Sequence, residues 1–559
     1  MTVLVPETFT IISYINAAAC EAFHNTIYQR NSAFKWYCTL LIDTLVAQLK
    51  NLLYSWVLRC LLYFHSFQIP KMVQNSTNGS LAHRVAHQTN GTSSSKVSGK
   101  TETARNSNGL SNGIHKHSPS PSWQSSFLAT TIIPILLMML PNVTLWIWYT
   151  AVHLDGSCME CISTIVNSPN GVWGFFDVWS KVTVGSRFSV IVIGGYMLFQ
   201  IVLMVVVPGK RVEGPVTPTG NIPVYKDNGL YIYLITMASF GCLTFYMKMF
   251  TTTSPSLIYD NYGDLLATIN VFALFFCLLL YLKGVFAPSS SDSGSSGNPI
   301  FDYYWGTELY PRIFGIDVKV FTNCRFGCTV WALLPCCFTM KAYEMHGFDA
   351  SINSIVSIII LATYLTKFFW WEAGYMCTID IILDRAGYYI CWGCLCFIPG
   401  LYTTFSIYMV NHPIALGYPM AAVILGSGIA CIAVNYAADR QKQIVRATDG
   451  KVLIWGKKPE VIRAKYRTSQ GEEKCSILLV SGFWGLARHF HYLPEIGLAF
   501  FWTIPSGFSH ILPYFYLTFL TILLCHRTYR DDIKCMAKYG TYWQEYREKV
   551  PYRIIPYVF

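Results

Sequence analysis

The chain has 559 residues, 53% hydrophobic and only 13% charged, with a formal net charge of +11; its mean hydropathy is +0.37. A soluble domain carries about 25% charged residues, and a soluble chain this long divides into several charge-surfaced domains. The composition excludes a secreted disulfide scaffold, a coiled coil and a soluble nucleotide-binding fold, and predicts an all-α polytopic membrane protein.

Residues 1–71 mix short apolar stretches (Ile11–Tyr14, Leu40–Val46, Leu52–Phe64) without the basic start, apolar core and cleavage site of a secretory signal. They read as an atypical N-terminal extension. Residues 72–123 are rich in Ser, Asn, Gly and His and bury too little apolar surface to order themselves, so a disordered polar tail is expected. Met72 opens that tail, and a translation start there is the expectation. Asn75, Asn78 and Asn90 sit in glycosylation sequons, which matter only on a lumenal tail.

About ten apolar runs follow, each near the length that crosses a bilayer: 126–151, 187–208, 229–250, 262–286, 327–344, 351–371, 386–410, 413–436, and less regular ones near 476–502 and 507–526. An even number puts both ends on one side. The basic loop 437–474 (Arg440, Lys442, Arg446, Lys451, Lys457, Lys458) and the basic tail from Arg527 to Arg553 make that side the cytoplasm. Charge placed beside spans accounts for the +11, so no nucleic-acid partner is expected. The 19 cysteines are scattered, many in apolar segments, and read as small free hydrophobes. Cys158 and Cys161 form a CxxC in a predicted loop, but nothing completes a zinc site, so no metal is expected.

The chemistry concentrates near the C-terminus. Ser481–Glu495 embeds Arg488, His489, His491 and Glu495 in apolar sequence, and ionisable groups at membrane depth need a cavity or partners. A polar pocket is predicted there. His526–Tyr546 interleaves Arg527, Arg530, Lys534 and Lys538 with Tyr529, Tyr539, Tyr542, Trp543 and Tyr546. Such cations bind phosphates and such rings stack on a base or nicotinamide, although a basic amphipathic helix on anionic lipid has the same composition. No glycine-rich nucleotide loop is present, so a dinucleotide site must be built from helices. Glu372, Asp380 and Asp384 read as interfacial caps, with no chemistry assigned from their spacing.

These stretches together resemble the membrane-bound sterol reductases. Gly297–Ile313 (GNPIFDYYWGTELYPRI) is similar to that family's first signature, and His526–Tyr546, with its H-R-x-x-R-D-x-x-x-C-x-x-K-Y-G-x-x-W-x-x-Y spacing, to its second. Glu213–Gly220, Asn228, Thr448–Ile462, Leu478–Phe490, His510–Tyr516 and Val550–Pro556 resemble the Δ7 branch more than the Δ14 branch. The resemblance runs from about residue 120 to the end. It implies about ten helices in the endoplasmic reticulum, a sterol-binding half at 124–436, and an NADPH-binding half at 437–559. On matching positions it implies cofactor contacts at Lys442, Arg446, Leu479, Trp484, His491, Tyr492, Asp531, Cys535, Lys538, Tyr539 and Tyr546. The implied partners are a sterol substrate, membrane lipids and other sterol-biosynthetic enzymes.

The implied reaction is reduction of the sterol C7–C8 double bond, as in 7-dehydrocholesterol to cholesterol. An isolated alkene is a poor hydride acceptor, so an acid must protonate carbon 8 before hydride reaches carbon 7. Tyr402 ranks first as donor, ahead of Tyr546 and Asp531, since Asp531 beside Arg527 and Arg530 tends to stay ionised. The chain departs from the family at Tyr310 (Asn in the family), at Leu383 and Arg385 (His), and at Cys394 (Asp). Further departures are His491 (Asn) and Pro494-Glu495 (Gly-Asp). They motivate two alternatives: a weakened sterol-binding protein, or a reductase of a different sterol double bond. A membrane methyltransferase would share the RHFHY stretch and the basic aromatic tail, but has no place for residues 120–440.

Overall fold

The computed structural model describes residues 127–217, 219–467 and 473–559. The N-terminal extension, the polar tail with its sequons, and Met72 lie outside the described residues. Seven helices among these residues are long and apolar enough to cross a membrane: α1 (Leu128–His153), α2 (Arg187–Val206), α3 (Gly229–Phe250), α4 (Tyr262–Phe286), α5 (Val320–Trp370), α6 (Tyr388–Asn411) and α7 (Tyr418–Ala447). Helices are required because lipid offers no partner for an open backbone group. This is the all-α polytopic architecture that composition predicts. The most apolar window of α6 is 78% buried, against 17% for those of α2 and α3, so α6 is central and α2 and α3 present apolar side chains outward.

Helix α5 is 51 residues long, twice what a bilayer needs. Gly347 breaks it, with φ +79° and ψ −174°. Trp331 and Tyr364 on either side would stand about 50 Å apart along a straight helix, yet their ring centroids are 6.1 Å apart. The chain therefore doubles back at Gly347. One helical hairpin supplies the two spans expected at 327–344 and 351–371.

Two segments are wound as π-helix, Val320–Cys328 at the start of α5 and Gly393–Tyr402 within α6. They pack on one another, and Asn323 Nδ2 donates to Cys394 Sγ at 3.2 Å across the contact. Widened turns of this kind recur at functional sites.

The C-terminal region departs from the sequence expectation. The run 413–436 continues as helix to Ala447, so Arg440, Lys442 and Arg446 stand on α7 rather than in a loop. The supposed ninth span is no continuous helix. Residues Val461–Arg467 (β1) and Glu473–Leu479 (β2) form an antiparallel hairpin, a loop follows, and α8 (Tyr492–Thr503) has only 12 residues. Apolar β residues and an apolar short helix were adjacent in sequence and read as one run. The supposed tenth span, 507–526, becomes α-helix only at Phe515, after a 3-10 turn at Leu512–Tyr514, and α9 (Phe515–Tyr539) carries the charged second signature into its C-terminal half. A last helix, α10 (Thr541–Lys549), folds back after Gly540. Cys158 and Cys161 also differ: they lie on a helix, Cys158–Val166, capped by Ser157, and both are free.

Candidate functional site

The C-terminal half of α7, the β1–β2 hairpin, α9 and α10 build one polar wall. After β2 the chain turns at Gly482, whose φ is +66° and where a side chain would collide with Gln441. Gln441 Oε1 accepts from Phe483 N at 2.9 Å, docking the turn on α7. Trp484 is then buried, with Nε1 donating to the Ala438 carbonyl at 2.7 Å. Lys442 Nζ, one turn along α7, sits 3.6 Å from the centroid of that indole, a cation–π contact.

The remaining expected contacts gather around this pair. The His491 ring lies 5.0 Å from Trp484 and 4.3 Å from Tyr492. His489 stacks on Tyr492 at 5.2 Å and approaches Asp531 Oδ2 at 3.7 Å. Cys535, one turn further along α9, donates its thiol to the same oxygen at 3.7 Å. Tyr546 donates to the Trp484 carbonyl at 3.3 Å. Lys538 Nζ lies over Tyr466 at 4.2 Å and Tyr539 at 5.0 Å. Arg446 Nε donates to the Ile477 carbonyl at 3.3 Å, and Leu479 packs with Val445 and Trp484. All 11 residues implied as cofactor contacts thus belong to one region. Burial pushes His489 down to about 4, with Asp531 opposing the shift and Lys442 adding to it, so its imidazole is neutral at physiological pH. His491 Nδ1 is buried with no partner among the described residues. Cations, flat rings and an unused polar nitrogen fit a phosphorylated dinucleotide.

Tyr402 stands apart from this wall. It lies in a cage of rings, 4.5 Å from Tyr516, 5.0 Å from Trp331 and 5.8 Å from Phe397. Trp502 and Tyr364 close the other side of Trp331, at 5.8 Å and 6.1 Å. A chain of polar side chains joins the cage to the wall. Tyr364 donates to Glu495 Oε1 at 2.7 Å, and Asn435 Nδ2 donates to Glu495 Oε2 at 2.9 Å. Asn435 also donates to the His491 carbonyl at 2.8 Å and accepts from Lys367 Nζ. Sequence reasoning missed Tyr364, Lys367 and Asn435. Lys367 and Asn435 interrupt otherwise apolar spans, which was the available signal.

Asp380 and Asp384, read as caps, are ion-pair partners of the second signature: Arg527 binds Asp380, and Arg530 reaches Asp384 Oδ1 at 3.4 Å. These pairs fasten α9 to the segment between α5 and α6. Among the departures, Tyr310 packs beneath Lys319, whose Nζ is 4.9 Å from its ring. Arg385 donates to the carbonyls of Gly294 and Thr307, holding the first-signature loop, and Leu383 is half-buried. Glu495 keeps a carboxyl engaged, and Pro494 lies in the first turn of α8, where a missing N–H is tolerated.

Residues 157–559 match the ergosterol biosynthesis ERG4/ERG24 family. A relative from Arabidopsis thaliana named 7-dehydrocholesterol reductase is 50% identical over 425 residues, covering 76% of this chain and 96% of the relative. A 7-dehydrocholesterol reductase from Xenopus laevis is 31% identical over 82% of this chain and 99% of its own length. A Delta(14)-sterol reductase from Methylotuvimicrobium alcaliphilum is 33% identical over 76% of this chain and 94% of its own length. The chain belongs to the ergosterol biosynthesis ERG4/ERG24 family, the membrane sterol reductases.

Proposed function

We propose that the chain is an NADPH-dependent Δ7-sterol reductase of the endoplasmic reticulum membrane, with both ends cytoplasmic, acting in sterol biosynthesis. The observation that carries this reading is the convergence of Lys442, Trp484, His491, Asp531, Lys538 and Tyr546 on one wall joined by hydrogen bonds to an aromatic cage. The 50% identity to a relative named for this activity supports Δ7 over Δ14.

NADPH, when bound, supplies the hydride. Lys442, Arg446 and Lys538 offer fixed positive charge to its phosphates, and Trp484 and Tyr492 offer flat faces. His489, held neutral, stacks on Tyr492 without adding charge beside those cations. Asp531 is engaged with His489 and Cys535, and the Tyr546 hydroxyl with the Trp484 carbonyl, so both act as positioning groups. Protonation of carbon 8 leaves an allylic cation over carbons 5 to 7, and the ring faces of the cage stabilise it. The proton comes from a hydroxyl of the cage.

The test uses the full chain in microsomes of yeast lacking its own C7 sterol reductase, supplied with 7-dehydrocholesterol and NADPH and scored by gas chromatography. Cholesterol is expected, and is expected to disappear with Asp531→Ala. An 8,14-diene sterol is run in parallel; its reduction with 7-dehydrocholesterol untouched would reassign the double bond, and reduction of neither would overturn the enzyme reading.

A further inference from the structure

The CxxC at Cys158 and Cys161 is a motif that the reductase reading leaves without a role. Both residues lie in the first turn of the helix Cys158–Val166, which Ser157 caps by accepting from Glu160 N at 3.2 Å. Helical geometry sets Cα atoms three residues apart at about 5 Å, inside the range of about 4.4–6.8 Å that a disulfide spans. Cys158, Cys161 and Ile165 share the face that packs on the apolar core, while Met159, Glu160 and Ile162 look outward. The Thr150 hydroxyl, on α1, is a hydrogen-bond partner of Cys161. Burial pushes both thiols up, and the charge of Cys161 adds to the shift at Cys158, so the two sulfurs are neighbours. No third ligand turns the pair into a metal site among the described residues.

The fold also fixes the side on which the pair stands. The turn before it docks on the far end of α6: Asn411 Nδ2 donates to the Val152 carbonyl at 3.2 Å, and a side chain at Gly156 would collide with the Tyr408 ring. The near end of α6 follows Asp384, which pairs with Arg530 of the second signature. Helix α6 has 24 residues and crosses the membrane once, so the cysteines and the cofactor wall lie on opposite faces.

We propose that Cys158 and Cys161 form a disulfide in the lumen of the endoplasmic reticulum, closing the first turn of the helix Cys158–Val166. This rests on the orientation in the reading above, which puts the polar wall in the cytoplasm and the pair in an oxidising compartment. The oxidant is itself a disulfide of the lumen, that of a thiol oxidoreductase or of glutathione. One cysteine thiolate attacks a sulfur of that disulfide, the old S–S bond breaks, and the first thiol leaves with a proton. The other cysteine thiolate attacks the mixed disulfide, forming the Cys158–Cys161 bond and releasing the second thiol. The pair gives up two electrons and two protons, and the oxidant takes both. Thiols held high are poor leaving groups, so the closed bond is a lasting tie and not an exchange centre. The helix has 9 residues, too few to stand alone in water, and covalent closure of its first turn keeps the connection between α1 and α2 in shape.

The test uses the full chain in sealed yeast microsomes, dissolved in denaturant containing N-ethylmaleimide before any reductant is added and read by mass spectrometry. The peptide carrying both cysteines should bear no alkyl group and be two hydrogen masses lighter than the dithiol. Prior reduction should let it take up two alkyl groups. Cys158→Ser should leave Cys161 alkylated; a protected Cys161 there would overturn the pairing in favour of another cysteine. In reduced vesicles, a membrane-impermeant maleimide should reach the pair only once detergent opens them. Amide exchange of the helix Cys158–Val166 should quicken about tenfold on reduction. It should be equally fast, and indifferent to reductant, in the Cys158→Ser/Cys161→Ser variant. Exchange unchanged by reduction would overturn the structural tie. Two alkyl groups on the unreduced peptide, with labelling that needs detergent, would overturn the disulfide and leave the orientation standing. Labelling of unopened vesicles would overturn the orientation and the lumenal assignment with it. None of these measurements passes through sterol turnover, so failure of the reductase activity would leave the disulfide to be judged on its own.

Discussion

His489 carries the most direct consequence of burial for a single side chain. Its side chain is 8% exposed and its titration is depressed to about 4, chiefly by burial. The unfolded chain takes up this proton near pH 6.5 while the folded protein refuses it. The stability attached to His489 is therefore complete above that value and lost as pH falls toward 4. Between pH 7 and 5 the loss is about 2 kcal/mol, since each unit of displacement is worth about 1.4 kcal/mol. Thermal unfolding of the detergent-solubilised protein should show this fall, and His489→Gln, which has no proton to refuse, should remove that part of the pH dependence. A His489→Gln profile parallel to wild type would show that other groups carry it.

Among the elements, the α5 hairpin depends on one residue. Gly347 has φ +79° with ψ −174°, a region that only glycine enters readily and that differs from the left-handed helical basin asparagine tolerates. Open space surrounds the missing side chain, so the penalty on substitution is conformational. Gly347→Ala should destabilise by about 1–3 kcal/mol, and Gly347→Asn by as much. Unfolding in detergent measures both, and an Asn variant close to wild type would mean the turn had relaxed into another basin. The two arms of this hairpin were legible in the sequence because each is an apolar run of bilayer length, and α2, α3 and α4 were legible for the same reason. The β1–β2 hairpin was not. Ile477–Val480 and Ile496–Phe501 are both apolar, and hydropathy averaged across Arg488–His491 made one span of a strand, a loop and a short helix. Most of the residues of the polar wall were legible through their resemblance to known signatures. The polar chain from the wall to the cage was not, because Tyr364, Asn435 and Glu495 meet only through tertiary packing.

At the scale of the molecule, a few buried ionic contacts bind segments distant in sequence. Arg325, in the π-helical start of α5, is fully buried and paired through both terminal nitrogens with the equally buried Glu372. It also donates to Asn228 at the head of α3 at 3.1 Å, and Glu372 packs against Gly229 so closely that a side chain there would collide with it. Removing one partner of such a pair strands a charge without solvent. Glu372→Gln should therefore lower stability by about 3–5 kcal/mol, read as a lower unfolding temperature and reduced yield of folded protein, and the Arg325→Met/Glu372→Met double variant should recover much of it. Equal losses in single and double variants would mean that packing around the pair, and not its charge, holds these segments.

The hairpin at Gly347 also imposes an order on biosynthesis. Trp331 and Tyr364 come together as soon as its two arms are inserted, whereas Trp502 and Tyr516, which complete the cage, follow more than a hundred residues later. At about 5–20 residues per second, the ribosome needs on the order of ten seconds to supply them. For that interval the rings of Trp331 and Tyr364 lack the partners they later meet. A premature stop between the hairpin and Trp502 therefore leaves an inserted remnant whose rings at Trp331 and Tyr364 never meet their later partners, a ready object for the quality-control machinery of the membrane.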